Sequence, residues 1–172
     1  CKHTPFSLDL FSKITLTGGR TFTVDSTDID YWLDTYEKGP NTYVILSLLY
    51  PNLKLSQVAF HQDHCHPYAG FENKAISVLG LDDDKVKEWQ KKRNLLPNLQ
   101  FLEGAENESK NKTPLIDWVD KGNSFSYRPQ NISLELKDFD EFFKQRRALI
   151  KKELLNIFGV QEAEEEKSNI IV

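Results

Sequence analysis

Three of the four histidines in this chain lie in one short stretch, FHQDHCHPYAGF, from Phe60 to Phe71. The same stretch contains Asp63 and Cys65, so imidazole, carboxylate and thiol groups stand side by side. Such groups bind metal ions, transfer protons or act as nucleophiles. A polar turn whose histidines only form hydrogen bonds is the remaining possibility. The rest of the chain has to decide between these chemistries.

Two of these chemistries lack the arrangement they need. A closed structural zinc site normally takes two pairs of ligands from separate segments, whereas this is one dense group. A cysteine nucleophile needs a base beside it, but neighbours on extended chain point to opposite faces, so neither His64 nor His66 is well placed to activate Cys65. For His61, Cys65 or His66 taken singly, a plain hydrogen-bonding role is the favoured interpretation.

Residues further along the chain favour the hydrolysis of a phosphodiester. The pattern predicts a segment of extended chain ending in Asp63 and His64, a second short strand at Asn98 and then a helix carrying Asn107. Hydrolysis needs a base for water, a divalent cation at the phosphate and basic side chains along the backbone. A neutral imidazole suits the first task near pH 7, and carboxylate and amide oxygens suit the second. Lysines suit the third task.

These stretches resemble a known family of nucleases. DHCHP and LPNLQFLEGAENESKNK are similar to the HNH endonucleases, and most closely to the C-terminal HNH domain of GmrSD-type restriction endonucleases, the DUF1524 family. Those domains contain Asp-His-x-x-Pro, then an Asn-Leu-x-Leu-Leu strand, then Asn-x-x-Lys on a helix. The flanking helical segments extend the resemblance from about Tyr43 to Phe158.

The resemblance implies a ββα-metal centre, the HNH or His-Me finger core. It implies that His64 is the general base that activates water and that Asn98 orients this base by hydrogen bonding. Asp63 and Asn107 are then the ligands of one divalent cation, Mg²⁺ or Mn²⁺. A helical insert separates His64 from Asn98, so these two residues meet only if the insert folds back.

The same resemblance suggests contacts to the DNA backbone. Lys110 matches the family's lysine and is expected to contact phosphate or stabilise the charge of the transition state. Lys112 is a further candidate for a phosphate contact. His66 lies two residues beyond His64 and is expected to share its face, where it would touch phosphate or metal. The stretch HPYAGF lacks the Lys-Ser pair that commonly follows the family's proline.

The predicted function is therefore a metal-dependent DNA endonuclease, the effector part of a bacterial restriction or phage-defence protein. Its partners are DNA and, as the family implies, a DUF262-like nucleotide-binding domain that precedes it in a longer protein. The alternative is a non-catalytic module that binds nucleic acid or protein on the same scaffold, which the net charge of −4 favours. A hydrolase acting on another phosphoester is a third possibility.

Composition limits the class of protein. With 172 residues, of which 39% are hydrophobic, the chain can form one ordinary domain. It has no apolar run of the length a membrane span needs. The first residues lack the pattern of a secretory leader and the chain has two cysteines, so we expect a cytoplasmic setting. Because it begins with Cys1 and contains no methionine, we expect a piece of a longer protein.

The elements that position these residues follow from the periodicity of the apolar side chains. The predicted fold is α+β and mainly helical, with one domain over 1–160 and a disordered acidic tail over 161–172. Asp82 is the expected N-cap of one helix, and Asp138 with Glu141 the expected capping box of the last helix, which Gly159 ends. We predict a hairpin over 14–24, a strand over 96–104 and helices over 25–40, 41–51, 81–94, 105–112, 113–122 and 138–159. For the almost wholly apolar segment 41–51 a strand is the alternative.

Overall fold

The computed structural model describes residues 23–50, 52–53 and 58–161. The predicted hairpin lies almost entirely outside these residues. The predicted tail also lies outside them, apart from Gln161. The described chain combines helices with one two-stranded antiparallel sheet, which is an α+β arrangement. The elements are α1 (Ser26–Thr35), α2 (Pro40–Leu49), β1 (Phe60–His64), α3 (Asn73–Ile76), α4 (Asp83–Lys92), β2 (Leu99–Glu103), α5 (Gly104–Lys110), α6 (Leu115–Asp120) and α7 (Phe139–Phe158).

The sheet brings the two parts of the sequence motif together. In the antiparallel register Asp63 lies opposite Gln100 and His64 lies opposite Leu99. The backbone N–H of Cys65 donates to the carbonyl oxygen of Asn98 at 2.8 Å, one residue beyond the strand. The insert that contains α3 and α4 therefore folds back, as the prediction for Asn98 requires. Since α5 begins directly after β2, the order strand, strand, helix is present.

Side-chain caps define the starts of two helices. The carboxylate of Asp25 accepts from the N–H of Asp28 at 2.9 Å, and the carboxylate of Asp28 accepts from the N–H of Asp25 at 3.0 Å, which forms a capping box for α1. Asp82 caps α4 as predicted, since its carboxylate accepts from the N–H of Lys85 at 2.8 Å. The segment 41–51 was predicted to be a helix, and most of it lies in α2.

Other helix ends differ from the prediction. α1 ends at Thr35, four residues before Gly39, and Pro40 begins α2 instead of closing α1. The predicted capping box of α7 is wrong, because Asp138 makes no side-chain capping bond and belongs to the 3₁₀ turn Leu136–Asp138 that leads into the helix. Gly159 ends α7 with a φ of 65°, a left-handed conformation that glycine adopts without strain.

The long helix α7 joins two hydrophobic cores. Phe139 and Phe142 lie in a first core that also contains Phe71, Trp89 and Trp118, while Ile150 and Leu154 lie in a second core with α1, α2 and Leu99. Between them Arg146 is fully buried and donates through Nη1 to the carbonyl oxygens of Pro97 at 2.5 Å and Leu99 at 2.9 Å. This guanidinium fixes the start of β2 to α7. No helix among the described residues is long and apolar enough to cross a membrane.

Candidate active site

The imidazole of His64 lies at the end of β1 on the wall of a cleft. Its Nε2 lies 3.1 Å from Oδ1 of Asn94, and its ring meets the ring of Tyr68 edge to face with 5.9 Å between centroids. Only 9% of the residue is exposed. The cleft has a volume of about 560 Å³ and is lined by Glu37, Lys38, Gly39, Gln62, His64, Tyr68 and Asn94.

The surroundings of His64 favour the neutral imidazole. Burial lowers its pKa below the ordinary value, the hydrogen bond to Asn94 works against this, and the positive charge of Lys38 lowers the pKa further. Because an amide oxygen can only accept, we assign the proton to Nε2 and the lone pair to Nδ1. A ring in this state can accept a proton from water at neutral pH.

Asn98 does not contact the ring of His64, so the predicted contact with the base is wrong. Its Oδ1 accepts from the backbone N–H of His66 at 3.0 Å, and its Nδ2 donates to the carbonyl oxygens of His66 at 3.1 Å and Arg93 at 2.9 Å. The residue is fully buried and fixes the turn that follows β1. The side chain that forms a hydrogen bond with the imidazole is that of Asn94. Sequence reasoning missed it because an asparagine at the end of a helix looks like an ordinary helix stop.

The connection between α1 and α2 forms the opposite wall of the cleft. The backbone N–H of Lys38 donates to the carbonyl oxygen of Asn94 at 2.9 Å. The side chain of Gln62 accepts from the N–H of Gly39 at 3.2 Å and donates to its carbonyl oxygen at 2.9 Å. Glu37 pairs with Leu95 in a single antiparallel bridge. Nothing in the sequence pattern pointed to this wall, since it depends on long-range backbone pairing.

Asp63 is held by a buried ion pair. Its Oδ2 accepts from Nε2 of Gln100 at 3.0 Å and lies 2.9 Å from Nζ of Lys110. Lys110 is fully buried and also donates to the carbonyl oxygen of His64 at 2.5 Å. The predicted phosphate contact of Lys110 is therefore wrong in this conformation, because its ammonium is enclosed and its charge is matched by Asp63. Lys110 instead ties α5 to β1.

Asp63 and His64 do not face the same side of the sheet. They are consecutive residues of β1, where side chains alternate between the two faces. Asp63 points with its partner Lys110 toward α5, whereas His64 points into the cleft with Gln62. The structure thus brings Asp63 and the helix of Asn107 together on one face and places the base on the other.

The two predicted metal ligands, Asp63 and Asn107, lie on β1 and on α5, which contact each other. Oδ1 of Asp63 receives no hydrogen bond from the described residues, and Asn107 lies half-buried one helical turn before Lys110. The pKa of Glu106 is raised by burial and by the charges of Glu103 and Asp63. In the described parts of the chain, no three His, Cys, Asp or Glu side chains converge as a metal site. One carboxylate with one amide nevertheless fits Mg²⁺, which keeps several water ligands.

His66 does not share the face of His64, so its predicted contact with DNA is wrong. The strand ends at His64, and the following turn buries the ring of His66 against Phe139 and Phe142, with centroids 5.5 Å and 4.5 Å away. Burial and the charges of Lys110 and Arg146 lower its pKa to about 3. The imidazole is therefore a neutral part of the first core.

The remaining members of the histidine stretch and Lys112 lie in different surroundings. Cys65 is fully buried, and burial raises the pKa of its thiol, which disfavours a nucleophilic role. His61 is exposed. Lys112 is exposed beside an apolar cavity of about 240 Å³, and its contact with phosphate stays a prediction.

We compared the sequence with protein-family models and with curated proteins. No family model matches the chain, and no curated protein matches it. The resemblance to the HNH endonucleases therefore stays a prediction from the motif residues.

Proposed function

We propose that this chain hydrolyses phosphodiester bonds of DNA, with His64 as the general base that takes a proton from the attacking water. The observation that carries the proposal is the position of the His64 imidazole. Burial lowers its pKa and so favours the neutral ring, Asn94 holds it at Nε2, and it borders an open cleft at the end of a strand–strand–helix arrangement. A base needs this combination of a fixed ring and access for water.

The other residues of the motif support this base in different ways. Asn98 fixes the backbone of the turn after β1, and Gln100 and Lys110 fix the carboxylate of Asp63. A divalent cation, Mg²⁺ or Mn²⁺, held by Asp63 and Asn107 would supply positive charge on the α5 face of β1. Because His64 lies on the other face, the proposal requires that the DNA backbone reach both faces at the end of this strand. In the longer protein that the family implies, a DUF262-like domain would bind nucleotide, and the whole would act in bacterial restriction or phage defence.

The proposal is tested by cleavage of supercoiled plasmid. The purified chain is incubated with Mg²⁺, Mn²⁺ or EDTA beside His64→Ala, whose folding is checked by circular dichroism. We expect nicking with either metal and none with EDTA or with the variant. Equal nicking by a folded His64→Ala variant would remove this residue as the base.

A binding module without catalysis is the second candidate. The observation that favours it is the buried ion pair, because Lys110 already supplies a cation at the predicted metal ligand Asp63. This function predicts DNA or protein binding that is unaffected by EDTA and no nicking with any metal. The plasmid experiment therefore separates the two functions.

A further inference from the structure

The cleft beside His64 contains a basic side chain that the motif does not account for. Lys38 lines this cleft, is exposed and forms no ion pair with any residue in the described ranges. Glu37 lines the same cleft and is the acidic group beside it. Neither residue belongs to the stretches that resemble the HNH endonucleases.

The backbone that carries Lys38 is fixed in place. Its own N–H is bonded to the carbonyl of Asn94, the residue whose side chain contacts the imidazole of His64. On the next residue, Gly39, both backbone groups are bonded to the side chain of Gln62, two positions before His64 on β1. The ammonium is thus presented from a wall that is built on the same residues as the site. Because the backbone is fixed beforehand, only the side chain of Lys38 loses entropy when a ligand arrives.

A second cation contacts Tyr68, one of the residues that line the cleft. The guanidinium of Arg93 lies 3.7 Å from the ring centroid of Tyr68, and its Nη2 donates to the Tyr68 hydroxyl at 2.6 Å. Arg93 has no carboxylate partner among the residues that the structure describes. Within the cleft the charges of Lys38 and Glu37 balance, and Arg93 adds a positive charge on the side chain of Tyr68, although the whole chain is acidic.

We propose that Lys38 binds a backbone phosphate of DNA in the cleft beside His64, with Arg93, which contacts Tyr68, as a second cation. This inference rests on the proposed nuclease function, and it assigns to Lys38 the phosphate contact that the buried Lys110 cannot make. A phosphate bound here lies on the side of the sheet that carries the imidazole. Glu37 acts against this binding by like-charge repulsion with the phosphate.

The test is binding of a fluorescein-labelled DNA duplex by the full 172-residue chain, followed by fluorescence anisotropy in EDTA over a series of salt concentrations. The variants are Lys38→Gln, Glu37→Gln and, as control, Lys121→Gln, an exposed lysine outside the cleft. We expect Lys38→Gln to weaken binding about fivefold at low salt and to reduce the slope of log K against log salt by about one. Glu37→Gln should tighten binding, and Lys121→Gln should leave it unchanged.

Plasmid nicking by the same preparations separates this inference from the proposed function. If nicking depends on His64 while Lys38→Gln binds like Lys121→Gln, the phosphate contact is wrong and the nuclease stands. If binding depends on Lys38 but nothing is cut, the contact stands and the nuclease is wrong. Absence of DNA binding by the unmodified chain at low salt overturns the inference.

Discussion

The side-chain amide of Asn98 holds the backbone of His66 from both sides. Its Oδ1 accepts from the N–H of His66 at 3.0 Å, and its Nδ2 donates to the carbonyl oxygen of the same residue at 3.1 Å. Both residues are buried, so water cannot replace these bonds. These two hydrogen bonds join the start of the insert, just after β1, to its end, just before β2.

Replacing Asn98 should therefore lower the stability of the fold. Asn98→Ala leaves the N–H and carbonyl of His66 and the carbonyl of Arg93 without this partner, and we expect the free energy of unfolding to fall by about 3 kcal/mol. Urea denaturation followed by circular dichroism measures it. Asn107→Ala, at a half-buried position on α5, should change the stability by less than about 0.5 kcal/mol. Similar losses in both variants would contradict a structural role that is specific to Asn98.

The buried ring of His66 should make stability depend on pH. Its folded pKa of about 3 lies below the ordinary value of 6.5, so between these values the unfolded chain takes up a proton that the folded chain excludes. The contribution of the neutral imidazole to the free energy of unfolding is fully present above pH 6.5. It is lost as the pH falls toward 3, by about 1.4 kcal/mol per pH unit. Urea denaturation between pH 4 and 7 should show this loss.

The variant His66→Leu isolates this effect. It keeps an apolar side chain between Phe139 and Phe142 and removes the titrating group. Carboxylates contribute to the pH dependence of both proteins, so the difference between the two curves reports His66 alone. A difference that stays constant from pH 7 to 4 would show that the imidazole is not kept neutral in the fold.

The ion pair between Lys110 and Asp63 should behave as a buried pair. Lys110→Met leaves the carboxylate of Asp63 with Gln100 alone, and we expect a loss of about 3 kcal/mol in the free energy of unfolding. In the double variant Asp63→Asn, Lys110→Met the loss should be about 2 kcal/mol smaller than the sum of the single losses. Additive losses in this cycle would mean that the two charges do not interact.

Asn94 should act as a positioning residue for the imidazole. Asn94→Ala removes the side-chain contact to His64 but keeps the backbone carbonyl that binds Lys38. We expect the nicking rate to fall about tenfold, because a freely turning imidazole is a poorer base, while DNA affinity stays the same. Single-turnover nicking and anisotropy measure the two quantities. An unchanged rate would leave Asn94 without a part in the reaction.

Asn107 should affect the requirement for metal. Asn107→Ala removes one oxygen ligand, so the Mg²⁺ concentration for half-maximal nicking should rise by about tenfold. Ser109→Ala, at an exposed position of the same helix, is the matched control. Titration of nicking against Mg²⁺ compares them, and coinciding curves would take Asn107 out of the ligand set.

The sequence predicted those parts of the fold that depend on local patterns. Asp82 as a cap, Gly159 as a helix end and the strand–strand–helix order all follow from a few neighbouring residues. The capping box at Asp138 failed, since the preceding 3₁₀ turn changes how the chain enters α7. The propensities of single residues do not reveal a 3₁₀ turn before a helix.

The site was less predictable, because its contacts join distant segments. The wall at Lys38 depends on backbone bonds to Asn94, and the burial of Lys110 depends on Trp118 of α6 and on Asp63. A lysine on a short polar helix looks exposed until the packing of that helix is known. His66 was placed on the wrong face because strand alternation was carried past the end of β1.

The long connection between β1 and β2 has a consequence for how the chain folds. An ordinary hairpin closes through a turn of about two to five residues, whereas here the chain from Cys65 to Asn98 has to close first. Each doubling of loop length adds about 0.6 kcal/mol to the entropic free-energy cost of closing the loop. Closing this connection therefore costs about 2 kcal/mol more than closing a four-residue turn. Packing of α3 and α4 has to offset that cost. We therefore expect the strands to pair late on the folding pathway, after the helices between them are in place.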